Sequence, residues 1–196
     1  MQNVEVNLGD KLKDLRESKG LTGYQLARLA GITEARLMAF EEGYATPTIA
    51  TLVKISQALG VGMGFFFQEA SAPRRIEVTR ADQRRPAEAH EKKGADELYY
   101  SYQSLSPTFP DKRMQPFFIE VDVVDIDSVQ PASHQGEEFI FVLEGRLEWK
   151  GGGETYRLGP GDAIHFDSSI PHSIVGVGDV KPKVVAVVYQ PSSSPG

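Results

Sequence analysis

Apolar positions recur at helical spacing through the first third of the chain. In the stretch LGDKLKDLRESKG, Leu8, Leu12 and Leu15 lie three or four positions apart, and Gly20 ends the run. Further short apolar runs follow in YQLARLA, EARLMAFEE, TIATLVKISQALG and VGMGFFFQ. The pattern therefore predicts a compact all-α bundle of five short helices over residues 8–67.

Capping residues mark the ends of these predicted helices. Thr22 and Thr33 each precede a helical run, where a hydroxyl can accept a hydrogen bond from a free backbone N–H. Gly31 and Gly43 end the second and third runs, and Thr48 opens the fourth. The second and third helices are joined by the short turn AGIT, which is the layout of a helix-turn-helix.

The pattern changes to period two from Leu98 onward. The runs MQPFFIEVDVV, EEFIFVLEGRLEWK, ETYRLGPGDAIHF and KVVAVVYQ are rich in β-forming residues and are separated by Gly, Pro and Asp. This pattern is typical of an all-β sandwich or barrel. The chain is thus predicted to hold two domains, an all-α one over residues 1–69 and an all-β one over residues 98–191.

The remaining segments are predicted to join or follow these domains. Residues 70–97 are charged and poor in large apolar side chains, so they are interpreted as a linker, with one possible short strand at residues 76–79. Residues 192–196, with the sequence SSSPG, are interpreted as a disordered tail.

Charge and composition restrict the functions that fit this chain. The net charge is −6, with −1 in residues 1–70 and −7 in residues 116–196, so the β half does not favour nucleic acid. Cysteine is absent, so any metal must be held by His, Asp or Glu. The chain has no apolar run of about 18 residues and no secretory signal, which predicts a cytoplasmic protein without a membrane partner.

The helical segment resembles the lambda-repressor-like family, also called the XRE family. The resemblance covers a set of residues in register: Gln25, Leu26, Ala27, Gly31, Ile32, Leu37, Phe40, Glu41, Gly43, Pro47, Leu52 and Leu59. It implies sequence-specific DNA binding with the third helix in the major groove.

Six residues are candidates for DNA contact on this basis: Gln25, Thr33, Glu34, Arg36, Met38 and Thr46. Arg36 can donate to guanine, and the threonines can hold phosphates. Glu34 repels phosphate, however, and the helical half is not basic. A bundle that has kept the fold without binding DNA therefore remains an alternative.

The stretch ASHQGEEFIFVLEG carries the chemistry of the second half. Residues an even number apart share a strand face, so His134 and Glu138 are predicted to point into one cavity. His172 follows Pro171, at the end of another predicted strand. Two imidazoles and a carboxylate suit a divalent metal such as Fe, Mn, Ni or Zn, and without metal the histidines could bind a carboxylate or phosphate. The apolar run at residues 139–143 is expected to be covered on both faces.

This half resembles the cupin family over roughly residues 115–190, which implies a jelly-roll fold. The matching residues form two motifs, namely His134, Glu138 and Gly145, then Pro160, Gly161, Asp162, Pro171 and His172. Ala132 stands where many cupins carry a further histidine. Ala132, Tyr99 and Tyr102 are candidates to line the pocket.

The whole chain is similar to cupin-containing XRE-type transcriptional regulators. That likeness implies a homodimer, or a higher homo-oligomer, that binds an operator and senses a small molecule or metal. The same domain order also resembles the hydroxypropylphosphonate epoxidases, mononuclear iron enzymes in which a lysine near the end of the first helix faces the phosphonate. Gly20 stands at that position here, with Lys19 beside it. The regulator is therefore favoured over the enzyme.

Overall fold

The computed structural model describes residues 8–67, 76–84, 99–110 and 112–191. Its α-helices are α1 (Leu8–Ser18), α2 (Gly23–Ala30), α3 (Glu34–Glu41) and α4 (Ile49–Ala58). Its strands are β1 (Tyr100–Ser104), β2 (Met114–Val121), β3 (Glu137–Glu144), β4 (Leu147–Gly151), β5 (Glu154–Leu158), β6 (Ala163–Asp167), β7 (His172–Gly176) and β8 (Lys183–Tyr189). The predicted order, helices followed by strands, is confirmed. None of the helices described here has the length and apolar content to cross a membrane.

The helix ends form as their capping residues predict. Thr22 caps α2 in a reciprocal arrangement, because its hydroxyl accepts from Gln25 N while the Gln25 side chain accepts from Thr22 N at 2.8 Å. Gly31 ends α2 with a φ of 68°, a left-handed conformation that glycine adopts without steric cost. The Thr33 and Thr48 hydroxyls accept from Arg36 N and Thr51 N and so cap α3 and α4, without the reciprocal bond seen at Thr22.

The fifth predicted helix takes a tighter form. Residues Met63–Phe67 make a 3₁₀ helix, so the described helical part consists of four α-helices and this one turn. Gly64 and three successive phenylalanines have low helix propensity, which explains the short element. The ring of Phe67 packs edge-on against Phe117 at a centroid distance of 5.5 Å, so the turn joins the bundle to the sheet.

The strands form two antiparallel sheets, as expected for a jelly roll. One sheet has the order β1-β2-β8-β3-β6, and the other has the order β5-β4-β7. Strands that are distant in the sequence are therefore neighbours, as where β3 pairs with β8 and β4 pairs with β7. The inner faces pack large side chains between the sheets, among them Phe117, Ile140 and Trp149.

The expectation that both faces of β3 are covered is wrong. Ile140 and Val142 are buried, whereas Phe139 and Phe141 are 39% and 36% exposed. Burial therefore alternates along β3, because its outer face is exposed in the described part of the chain. This alternation places Glu138 on the inner face, beside the cavity between the two halves.

The helical and β halves share one continuous core. The Tyr102 hydroxyl donates to Pro47 O at 2.9 Å, and Ile49 N donates to the Tyr100 hydroxyl at 3.2 Å. Gln190, after β8, accepts from Met63 N at 3.1 Å. These contacts tie the start of α4 and the 3₁₀ turn to the sheet, so the two predicted domains pack as one body.

Most of the predicted linker and the whole predicted tail lie outside the described residues. Residues 76–84 are described, and they hold a short 3₁₀ helix at Ala81–Gln83. Residues 76–79, predicted as a possible strand, are not paired in either sheet. The Glu77 carboxylate accepts from Thr108 N at 3.0 Å, which fixes this segment to the loop after β1.

Changing Tyr102 to Phe tests the contact between the halves. The substitution leaves the buried Pro47 carbonyl without its hydroxyl donor, so we expect the free energy of unfolding to fall by about 1–3 kcal/mol. Urea denaturation measures this difference. Tyr156→Phe is the matched control, because its hydroxyl donates to Glu154 on an exposed surface and its loss should change stability little. Equal midpoints for Tyr102→Phe and the natural protein would contradict the assigned contact.

Candidate metal and ligand site

Three side chains converge between the two sheets. His134 Nε2 lies 2.6 Å from Glu138 Oε1, and His172 Nε2 lies 3.7 Å from the same oxygen. One nitrogen or oxygen from each residue lies within 4.8 Å of the other two. Both histidines are buried, and the Glu138 side chain is 12% exposed. The sequence prediction that these three residues meet is therefore reproduced by the structure.

Backbone pairing across the site, rather than strand alternation, brings His134 into position. His134 precedes β3 in an irregular segment, and its N–H donates to Ser168 O at 2.9 Å. Ser168 N in turn donates to Gly136 O at 3.0 Å. Ala132 and His172 exchange two backbone hydrogen bonds of 2.9 Å each, which sets the start of β7 beside this segment.

The outer nitrogens of both histidines are held by backbone carbonyls. His172 Nδ1 lies 2.8 Å from Ile170 O, and His134 Nδ1 lies 3.2 Å from Gln135 O. A carbonyl can only accept, so each Nδ1 carries a proton, and each Nε2 faces Glu138. Metal-binding histidines have this arrangement, in which one nitrogen is oriented by a carbonyl and the other is presented to the ion.

The electrostatics of the cluster also suit a cation. Burial alone would raise the pKa of Glu138, but the hydrogen bond with His134 and the nearby charges of both histidines lower it to about 2, so the carboxylate is ionised at neutral pH. Burial lowers the pKa of His172, but the nearby Glu138 carboxylate and the contact with Ile170 O more than compensate, so the net direction is upward. An ionised carboxylate between two Nε2 atoms attracts either a proton or a metal ion, and the donor set therefore fits a divalent metal.

A cavity of about 360 Å³ opens on this cluster and is lined by both halves of the chain. The β half contributes Glu138 and His172, together with Tyr99, Tyr100 and Ala132. The helical half contributes residues of α3 and α4 and of the segments just before them, which are Gly31, Ile32, Arg36, Thr48, Ile49, Ala50, Thr51 and Lys54. The helix-turn-helix is thus one wall of the pocket.

The pocket residues predicted from sequence fall in different places. Tyr99 and Ala132 line the cavity. Tyr102 is 1% exposed and is not among the cavity residues, since its ring packs in the core and its hydroxyl donates to Pro47 O. Tyr100, which sequence reasoning missed, also lines the cavity, and burial raises its pKa.

The predicted DNA contacts divide into an exposed set and a covered set. Gln25, Thr33, Glu34 and Met38 are exposed, although Gln25 and Thr33 also cap their helices. The Thr46 hydroxyl oxygen is buried, so a DNA phosphate cannot contact it in this conformation.

Arg36 lies on the covered side of α3. It is half-buried on the cavity wall, with its guanidinium carbon 5.8 Å from the centre of the Phe40 ring. To contact a base it would have to leave this position. Lys54, also on the wall, was missed by sequence reasoning, because a single lysine in an amphipathic helix has the pattern of a solvated residue.

The fold thus combines a helix-turn-helix bundle with a jelly roll, and residues of both line one cavity. The chain matches two family models, described as Helix-turn-helix over residues 12–66 and Cupin domain over residues 121–189. The chain therefore has a helix-turn-helix region followed by a cupin region, and it is similar to transcriptional regulators. The helical and jelly-roll resemblances seen in the sequence are thereby confirmed.

Three relatives span nearly the whole chain. The HTH-type transcriptional regulator PuuR of Escherichia coli (strain K12) is 27% identical over 170 residues, covering 84% of this chain and 85% of PuuR. The (S)-2-hydroxypropylphosphonic acid epoxidase of Streptomyces wedmorensis is 26% identical, covering 96% and 98%. The crystal structure of an HTH_3 family transcriptional regulator from Vibrio cholerae has a TM-score of 0.62 and 28% identity, covering 94% and 95%.

Proposed function

We propose that this protein is a DNA-binding transcriptional regulator whose cupin half senses a small molecule, with a divalent metal in the site. The observation that carries the proposal is the shared cavity, because α3, the recognition helix of the family, forms a wall of the same pocket that His172 and Glu138 line. Binding in that pocket contacts the DNA-reading element directly. A ligand can shift an equilibrium only through such differential contacts.

His134, Glu138 and His172 are the residues that would hold the metal. A bound divalent ion would supply a fixed positive charge and open positions for an oxygen ligand. The carbonyls of Gln135 and Ile170 keep the two imidazoles oriented. Fe, Mn, Ni and Zn all fit this donor set, and metal analysis of the purified protein identifies which is held.

The proposed DNA face consists of the exposed residues Gln25, Thr33, Glu34 and Met38. The protein is proposed to bind a palindromic operator as a homodimer. Met38 is 50% exposed on α3, where it can contact a thymine methyl group. Residues 1–70 carry a charge of −1, so few cations are present to displace counterions from DNA. We therefore expect a shallow dependence of operator affinity on salt.

The change Met38→Glu tests this face. A carboxylate on the recognition helix repels the DNA backbone, so we expect operator affinity to fall at least about tenfold, equivalent to roughly 1.4 kcal/mol. Fluorescence anisotropy with an operator selected from random DNA measures the change. Met114→Glu is the matched control, because Met114 is 64% exposed at the start of β2 in the cupin half. Selection that enriches no sequence, or equal affinities for the two variants, would count against DNA recognition by α3.

An enzyme related to the epoxidase is the second candidate, supported by the near-complete sequence alignment and the three-residue donor set. The end of α1 does not supply the cavity cation that the resemblance to the epoxidases implies. Lys19 is exposed and is not among the cavity residues, whereas Arg36 and Lys54 are. Turnover of 2-hydroxypropylphosphonate by the iron-loaded protein under O₂ would favour this candidate, and a specific operator would favour the regulator.

A further inference from the structure

We infer that the cavity is a site for a small organic acid, held with one anionic group against Arg36 and Lys54 and one oxygen at the cluster of His134, Glu138 and His172. This inference rests on the proposed regulator, and it names the class of its effector. It also makes the recognition helix a part of the effector site, because Arg36 belongs to α3.

The charges of the described lining residues favour an anion. Arg36 and Lys54 are the cationic side chains of its helical wall, and Glu138 is the carboxylate among the described lining residues. Glu138 is already engaged by two histidines, so it does not neutralise the opposite wall. Lys54 is half-buried and forms no ion pair with any residue that the structure describes. Charges partly withdrawn from water attract an opposite charge more strongly than exposed ones.

The helical wall offers further groups suited to an acid. The start of α4 opens on the cavity through Thr48, Ile49, Ala50 and Thr51, and the N-terminal end of a helix carries a partial positive charge. The Tyr100 hydroxyl accepts from Ile49 N, so its own proton remains available to donate to a ligand oxygen. These groups add donors on the same side as the two cations.

Size and lining restrict the ligand further. A volume of about 360 Å³ lies at the small end of ligand pockets, which suits a compact metabolite. The lining also includes Ile49, Ile119, Ile140 and Ile174, which suits a ligand with an apolar part beside its charged groups. A short dicarboxylate, or a hydroxy or phosphono acid of similar length, has this distribution of groups.

The arrangement also couples the acid to DNA. While the acid holds Arg36 and Lys54, α3 and α4 are fixed against the cupin half with Arg36 directed to the cavity. Arg36 is then withheld from any base, so the acid is expected to lower operator affinity. Because coupling between two ligands is reciprocal, the operator lowers the affinity for the acid by the same factor.

The test is calorimetric titration of the metal-loaded full chain with oxalate, malonate, succinate, malate and phosphonoacetate. We expect at least one acid to bind, and succinamide and 1,4-diaminobutane, as neutral and cationic probes of similar length, to bind at least tenfold more weakly than that acid. Lys54→Met and Arg36→Met keep much of the apolar stem and remove the charge, so each should weaken acid binding at least tenfold. Lys13→Met is the matched control, because Lys13 is exposed on α1 and does not line the cavity. Circular dichroism and metal content confirm that each variant is folded and loaded.

The outcomes separate this inference from the proposed function. No binding by any acid, tighter binding of the diamine, or unchanged acid affinity in both cavity variants overturns the inference, even if the operator is bound. Acid binding that depends on Lys54 and Arg36 supports the site even where no operator is found, and in that case the regulator is the proposal that fails. Operator affinity that falls on addition of the acid in the natural protein, and not in Lys54→Met, supports both.

Discussion

Replacing His134 or His172 with alanine is expected to abolish metal binding. Each change removes one of three donors that lie within 4.8 Å of one another, and leaves a two-donor site. The affinity should fall by more than the roughly 10–100-fold that loss of an outer hydrogen-bond partner costs. Inductively coupled plasma mass spectrometry after dialysis measures the metal retained by each variant.

His165→Ala is the control for this pair. His165 lies on β6 and contacts Glu137 at 3.0 Å on the exposed face, away from the cluster. It should therefore retain the metal content of the natural protein. Metal should also raise the thermal midpoint of the natural protein, since a ligand at 100 times its dissociation constant stabilises the folded state by about 2.7 kcal/mol. Metal content unchanged in both cluster variants would show that the ion is bound elsewhere.

Gly136→Ala is expected to lower the stability of the cupin half more than a substitution of an exposed residue does. Gly136 has a φ of 114°, and a Cβ there would lie 2.0 Å from the backbone oxygen of Tyr189. Gly136 lies between His134 and Glu138, just before β3. Because Tyr189 belongs to β8, the two backbones would have to separate there to admit a methyl group. Backbone strain of about 1–3 kcal/mol adds to the cost of that separation, so a total loss of several kcal/mol is expected.

Gly153→Ala separates strain from collision in this experiment. Gly153 also has a positive φ, 84°, but a Cβ there meets no atom within 4 Å. Its substitution should cost only the backbone strain, about 1–2 kcal/mol. Urea denaturation and metal content are measured for both variants. Equal losses at the two glycines would mean that the close approach of Gly136 to Tyr189 is not maintained in solution.

Much of the helical half follows from local sequence. The caps at Thr22, Thr33 and Thr48 and the left-handed Gly31 act on groups only a few residues away, so their effect is independent of the rest of the fold. The three-residue cluster could also be named from sequence, because its residues stand in recognisable motifs. Strand alternation does not explain the position of His134, however, because backbone pairing with Ser168 places it.

The helix ends, the change from helical to strand periodicity and the identity of His134, Glu138 and His172 could all be predicted from the sequence. The pairing of β3 with β8, the place of Tyr100 in the cavity and of Tyr102 in the core, and the position of Arg36 and Lys54 on the cavity wall required the folded structure. The physical reason is the range of the interactions. Capping and periodicity act between residues a few positions apart, whereas these contacts join segments separated by dozens of residues, and which face of a helix or strand is covered depends on what the rest of the chain packs against it.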